Sequence, residues 1–143
     1  MNVATILNQK GRDVATASSE ASLMDIVGDL GRHKVGAMVI VDAGKRVAGI
    51  ISERDIVRAI STDGAAVLSR SAADFMTHGV VTCTEDDTVA ELMERMTEGR
   101  FRHIPVVVDG ELVGIVSIGD VVKARVNEAE QEAEAMRSYI ATG

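Results

Sequence analysis

The apolar residues of this chain fall into two series that repeat each other in the same order. In the first, Leu23, Ile26, Val27 and Leu30 recur at helical spacing; in the second, Val89, Leu92, Met93 and Met96 do the same. Positions i, i+3, i+4 and i+7 share one face of a helix, so each series predicts an amphipathic helix. Ahead of each stripe stands a hydroxyl residue with an acid three positions on, Ser22 with Asp25 and Thr88 with Glu91, the pattern of a helix N-cap. Each helix is followed by an apolar run, Ala37-Met38-Val39-Ile40-Val41 or His103-Ile104-Pro105-Val106-Val107-Val108. A glycine-containing turn, at Asp42-Ala43-Gly44-Lys45 or around Asp109-Gly110, then leads to a second run, Val47 to Ile51 or Leu112 to Val116. Such runs, bounded by turn residues, read as hairpin strands. Val14-Ala15-Thr16 and Val80-Val81-Thr82 read as a short strand before each helix, and a further helix begins near Ser52 and near Ser117.

The unit is therefore β-α-β-β-α, written twice. Residues 1–62 hold the first copy, 63–71 a connector, 72–126 the second copy and 127–143 a helical tail. One copy is too small to bury its faces well, so the expected fold is α/β (α+β), with the copies packed on each other about a pseudo-two-fold axis. In the tail, Val122, Val126, Ala129, Ala133, Met136 and Ile140 alternate spacings of four and three, a heptad-like stripe backed by Glu128, Glu130, Glu132 and Glu134. The stripe is short and rich in alanine, so docking on a core or on a partner chain is expected of it, with packing inside its own subunit as the alternative.

Composition narrows the function classes. The chain has 143 residues, 46% of them apolar, with a formal net charge of −7, two Phe, one Tyr and no Trp. An acidic chain with few aromatic rings lacks both the basic surface and the stacking platforms of a nucleic-acid binder. No apolar run reaches the length of a membrane span, and the first residues lack a signal-peptide pattern, so a cytoplasmic location is expected. Cys83, the single cysteine, has no internal partner and reads as a small buried apolar residue. Neither a metal site nor a hydrolase is indicated, because no zinc or calcium spacing, P-loop, nucleophile elbow or His-Glu-x-x-His occurs. His33 and His78 read as surface residues.

Each copy ends in the same motif, Gly49-Ile50-Ile51-Ser52-Glu53-Arg54-Asp55 and Gly114-Ile115-Val116-Ser117-Ile118-Gly119-Asp120. Ser-x-x-Asp at a helix start is a capping box. It also suits ligand binding: a carboxylate accepts two hydrogen bonds from a cis-diol, while helix-start N–H groups and a serine hydroxyl hold an anion. The motif and the order of elements resemble the cystathionine β-synthase (CBS) domain, and two in tandem resemble a Bateman module. The likeness runs from Val3 to Val126 and takes in the lead-in Asp74-Phe75-Met76-Thr77 and Arg102-His103-Ile104-Pro105.

The resemblance implies a regulatory module, not an enzyme, that binds an adenosine-containing ligand (AMP, ADP, ATP, an NAD-type dinucleotide or S-adenosylmethionine) in clefts between the repeats. Carried over residue by residue, Asp55 and Asp120 hold ribose, and Ser52 and Ser117 stand at the phosphate ends. Arg102 and His103 match the family's basic position, with Ile104, Pro105, Thr82 and Thr16 beside the ligand. Arg54 is a candidate for phosphate or for a surface ion pair, and Arg102 and His103 also have a reading as solvated surface charge. The first copy has Gly36-Ala37 at the basic position and Val39 in place of Pro105, so unequal sites are expected, with the fuller one at Asp120. No cofactor is required. The expected partners are the nucleotide, a second copy of the chain in a homodimer and an unidentified regulated protein. The competing reading is an interaction protein that uses the dimer surface and the tail, with its clefts empty.

Overall fold

The computed structural model describes residues 1–142. Its elements are α1 (Val3–Lys10), β1 (Thr16–Ala17), α2 (Leu23–His33), β2 (Ala37–Val41), β3 (Val47–Ser52), α3 (Glu53–Asp63), α4 (Val89–Gly99), β4 (His103–Val108), β5 (Glu111–Ser117) and α5 (Ile118–Thr142). Two short 3-10 turns, Ala65–Ser69 and Ala72–Asp74, carry the chain from one copy to the next. Strands β1, β2 and β3 form one sheet, with β1 parallel and β3 antiparallel to β2; β4 and β5 form an antiparallel pair. The two hairpins have the same register, Ala37 opposite Ser52 and His103 opposite Ser117.

The helices form where the caps place them. The Ser22 hydroxyl accepts the Asp25 N–H at 3.1 Å, and the Thr88 hydroxyl accepts the Glu91 N–H at 3.1 Å. Each bond satisfies a free donor at a helix start. Leu23, Ile26 and Leu30 of α2 and Val89, Leu92 and Met96 of α4 are buried, as the stripes predict, whereas Val27 is exposed and Met93 only half-buried at the edges of their stripes.

The expected strand at Val80-Val81-Thr82 does not form. Cys83 instead makes a single parallel bridge to Val106, the counterpart of Ala17 against Ile40. Proline explains the loss. In the first copy the Val39 N–H donates to the Ala15 carbonyl at 3.2 Å, whereas the second has Pro105 at that place, with no N–H to give. What remains is the Cys83 N–H to the Pro105 carbonyl at 3.0 Å and the Val107 N–H to the Cys83 carbonyl at 2.9 Å.

The two cores exchange their lead-ins. One core collects Leu23, Ile26, Leu30, Met38, Ile40, Ile51 and Ile56 of the first copy with Ala72, Phe75 and Met76 from the start of the second. The other collects Val89, Leu92, Met96, Ile104, Val106 and Val116 of the second copy with Val3, Ile6 and Leu7 from the start of the first. Matching backbone bonds seal the exchange: Ala72 N–H to the Ala21 carbonyl at 2.8 Å and Val3 N–H to the Asp87 carbonyl at 2.9 Å. The motif glycines lie where the exchanged segments cross. A Cβ on Gly49 would stand 2.7 Å from the Met76 sulfur and 2.9 Å from the Thr77 carbonyl oxygen, and one on Gly114 would stand 2.9 Å from the Leu7 methyls.

Candidate functional site

Both copies of the motif cap their helices. At Ser52 the backbone N–H donates to Asp55 Oδ2 at 2.9 Å, and the Asp55 N–H returns to the Ser52 hydroxyl at 3.4 Å. At Ser117 the matching distances to and from Asp120 are 2.8 and 3.2 Å. Capping uses Oδ2 of Asp55, and its Oδ1 has no hydrogen bond among the described residues. A carboxylate can therefore cap its helix and still present an acceptor to a ligand.

Ser52 and Asp55 open onto a cavity of about 690 Å³ formed between the copies. The exchange of lead-ins builds it: Thr77, Gly79, Val80 and Val81, the segment that crosses Gly49, line it beside Ile50. The opposite wall comes from the second copy, with Phe101, Arg102, His103, Ser117 and Ile118. Arg54 and Arg58, one turn apart on α3, meet Arg100 and Arg102 here, and none of the four pairs with a carboxylate among the described residues. Four guanidiniums thus face a cavity with two carboxylates, Glu53 and Asp55, on a chain whose net charge is −7.

The sequence groups Arg102 and His103 with Asp120, their neighbour in the same copy; in the structure they line a cavity that holds Asp55 together with Ser117 and Gly119 of the second motif. Asp120, Thr16, Thr82, Ile104 and Pro105 are absent from that cavity's lining. Ile104 is wholly buried in the core and Pro105 is buried in β4, while Thr16 and Thr82 are exposed. Arg58 and Arg100 escaped the sequence reading. Arg58 follows Arg54 by four residues on a helix, a spacing that puts both on one face. Arg100 lies two residues before Arg102, at the left-handed end of α4 with φ 56°.

His103 lies against Gly36, its imidazole 3.6 Å from where a Cβ on that glycine would stand. Burial, then the charge of Lys10, hold its pKa below the ordinary value, against the opposing pull of Glu53 and Asp120. Asp120 is held differently from Asp55. The Lys10 ammonium lies 2.7 Å from its Oδ2 and also donates to the Ile115 carbonyl at 2.9 Å. Burial acts to raise the Asp120 pKa, but the bonds from Lys10 and from the Ser117 N–H outweigh it, and the net shift is downward.

Elsewhere the candidates for chemistry are quiet. Burial, with a smaller contribution from Asp87, pushes the Cys83 thiol up to about 12, so it is no nucleophile at neutral pH. Among the described residues no three His, Cys, Asp or Glu side chains gather as a metal site, and no helix is long and apolar enough to cross a membrane.

Comparison with known proteins agrees with this architecture. The family model described as "CBS domain" matches residues 9–62 and 72–127. A curated relative, the CBS domain-containing protein CBSX3, mitochondrial, of Arabidopsis thaliana, is 36% identical over 99% of this chain and 72% of its own. The solved CBS-domain protein ATU1752 from Agrobacterium tumefaciens is 50% identical, with a TM-score of 0.85 over 87% of this chain and 99% of its own. The CBS domain pair of protein MJ0100, solved with 5′-methylthioadenosine and S-adenosyl-L-methionine, is 28% identical, with a TM-score of 0.80 over 90% and 98%. The CBS domain protein PAE2072 from Pyrobaculum aerophilum, solved with AMP, is also 28% identical, with a TM-score of 0.75 over 84% and 89%.

Proposed function

This chain belongs to the CBS-domain family, and from that premise we propose that it is a regulatory module whose cavity beside Asp55 binds a phosphate-bearing adenosine nucleotide, AMP or a larger relative such as ADP, ATP or an NAD-type dinucleotide. Relatives solved with AMP and with S-adenosylmethionine support an adenosine ligand in general. The observation that selects the phosphate-bearing class is the set of four guanidiniums, Arg54, Arg58, Arg100 and Arg102, around one cavity without acid partners. Unpaired arginines in a concave site offer charge-assisted, bidentate contacts to phosphate and repel a sulfonium. Asp55 Oδ1 takes the ribose diol, Ser52 and the start of α3 face the phosphate end, and Val80, Val81 and Ile50 form the apolar wall for the base. A volume of about 690 Å³ lies in the range of small-molecule sites.

Regulation follows from the cavity's construction. Its walls come from both copies, so a ligand that bridges Arg54 and Arg102 changes how the copies sit on each other and what a partner protein reads. Assembly is the second part of the proposal. In α5 the residues turned to the core are Val121 and Ala124, while Val122, Val126, Met136 and Ile140 are 49, 50, 61 and 70% exposed. An apolar stripe left uncovered by its own subunit suits a second copy of the chain, and it equally favours the reading as an interaction protein.

A thermal-shift series with AMP, ATP, NADH and S-adenosylmethionine, repeated in the ultracentrifuge, tests both parts. A ligand at a hundred times its Kd adds about 2.7 kcal/mol. The proposal expects a rise in Tm with the phosphate-bearing ligands, little with S-adenosylmethionine, and a dimer. A shift with S-adenosylmethionine alone overturns the ligand class, and no shift with any of them, beside an intact dimer, favours the interaction protein.

A further inference from the structure

The two motif carboxylates are equivalent in sequence and unequal in their surroundings, and Lys10 is the cause. The first copy opens with a helix, α1, whose last residue is Lys10, before Gly11 at φ 97°. The second opens with the 3-10 turn Ala72–Asp74 and continues through the exposed His78 to Gly79 at φ 47°, with no lysine or arginine on the way. The longer lead-in carries an ammonium to the far carboxylate; the shorter one carries nothing to its own. Lys10 Nζ is held by Asp120 Oδ2 at 2.7 Å and by the Ile115 carbonyl at 2.9 Å, so two acceptors fix it beside the motif. Asp55 has only its own capping bonds from Ser52.

We infer that Lys10 is an internal competitor for the Asp120 site: its ammonium already occupies Oδ2 and neutralises the carboxylate, so a ribose diol arriving at Asp120 must displace it or settle for a weakened acceptor at Oδ1. The inference rests on the nucleotide reading proposed above and deepens it, because it makes the module bind in two steps, first at Asp55 and only later at Asp120. The four arginines line the same cavity as Asp55, and although Ser117 and Gly119 of the second motif also border it, Asp120 itself does not. An unequal module of this kind responds to ligand over a wider range than one with two equal clefts.

The test is calorimetric titration of AMP into the wild-type chain, Lys10→Met and Lys10→Gln, each checked by its unfolding curve. Methionine keeps the length of the side chain without its charge or donors. The wild type is expected to show one strong event per chain and a weaker second. A hydrogen bond to a charged group contributes enough for Lys10→Met to strengthen the second event about tenfold or more, with Lys10→Gln in between. Asp55→Ala weakens the strong event about 10- to 100-fold and leaves the weak one. Two equal events in the wild type overturn the inference with no variant needed. A second event that Lys10→Met weakens or leaves unchanged overturns it too, and would make Lys10 a ligand contact or a bystander. Weakening of the first event in Asp55→Ala alongside either result leaves the nucleotide reading standing. No binding of AMP by the wild type removes that reading and this one together.

Discussion

Asp55 and Asp120 show how one residue type in one local motif acquires two characters. Both cap a helix through Oδ2, and that much was legible in Ser-x-x-Asp. What separates them comes from residues distant in sequence: Lys10 reaches Asp120, while the cations gathered near Asp55 remain unpaired. A linear reading assigns Arg102 and His103 to the copy that contains them, with Asp120, and does not show that they share a cavity with Asp55 as well. The ionisable residues at this junction also set the response to acid. His103 is held below its ordinary 6.5 by burial, so the unfolded chain takes up a proton first as pH falls, and stability drops from about pH 6.5 down to the folded value. Asp120 acts lower, its stabilisation present above 3.8 and lost as pH falls through its depressed folded value. His103→Gln is expected to flatten the dependence of urea midpoints on pH between about 7 and 5 and to leave the steeper loss at lower pH. An unchanged slope in the upper range would assign it to another group.

Among the elements, capped helices and hairpins followed their sequence signals because their determinants lie within a few residues of one another. The exchange of lead-ins did not, since an apolar triplet such as Val3, Ile6 and Leu7 carries no mark of which core it will enter. The missing strand at Val80-Val81-Thr82 turns on the single absent N–H of Pro105, a signal present in the sequence and read there only as a difference between copies. The motif glycine belongs to this scale as well: it is required by the close crossing of β3 and the segment at Thr77, whose N–H bonds the Ile50 carbonyl at 2.9 Å. Gly49→Ala places a Cβ 2.9 Å from a backbone oxygen that cannot move without breaking that pairing. Its expected cost is about 1–3 kcal/mol in chemical denaturation, the usual range for overpacking. Gly44→Ala, whose Cβ meets nothing closer than 3.8 Å, serves as the control, with a change within about 0.5 kcal/mol. Equal effects at the two glycines would contradict the crossing as the reason for the motif.

For the molecule as a whole, duplication gives the architecture and divergence gives the function. Reciprocal exchange makes the cleft shared property, so on the proposed reading a ligand between the copies acts on their relative placement. The overall charge of −7 hides a local concentration of arginine that only the assembled fold collects, from α3 on one side and from the α4–β4 junction on the other. The tail adds an outward apolar stripe on which assembly can depend. The account rests most heavily on the Asp55 cavity, and calorimetric titration of AMP into wild-type chain, Asp55→Ala and Asp120→Ala at one fixed salt concentration tests it most directly. The expected result is saturable binding by the wild type, a first event about 10- to 100-fold weaker in Asp55→Ala, and a first event close to wild type in Asp120→Ala. No saturable binding by the wild type at millimolar AMP, or an Asp55→Ala titration that overlays it, would contradict the account.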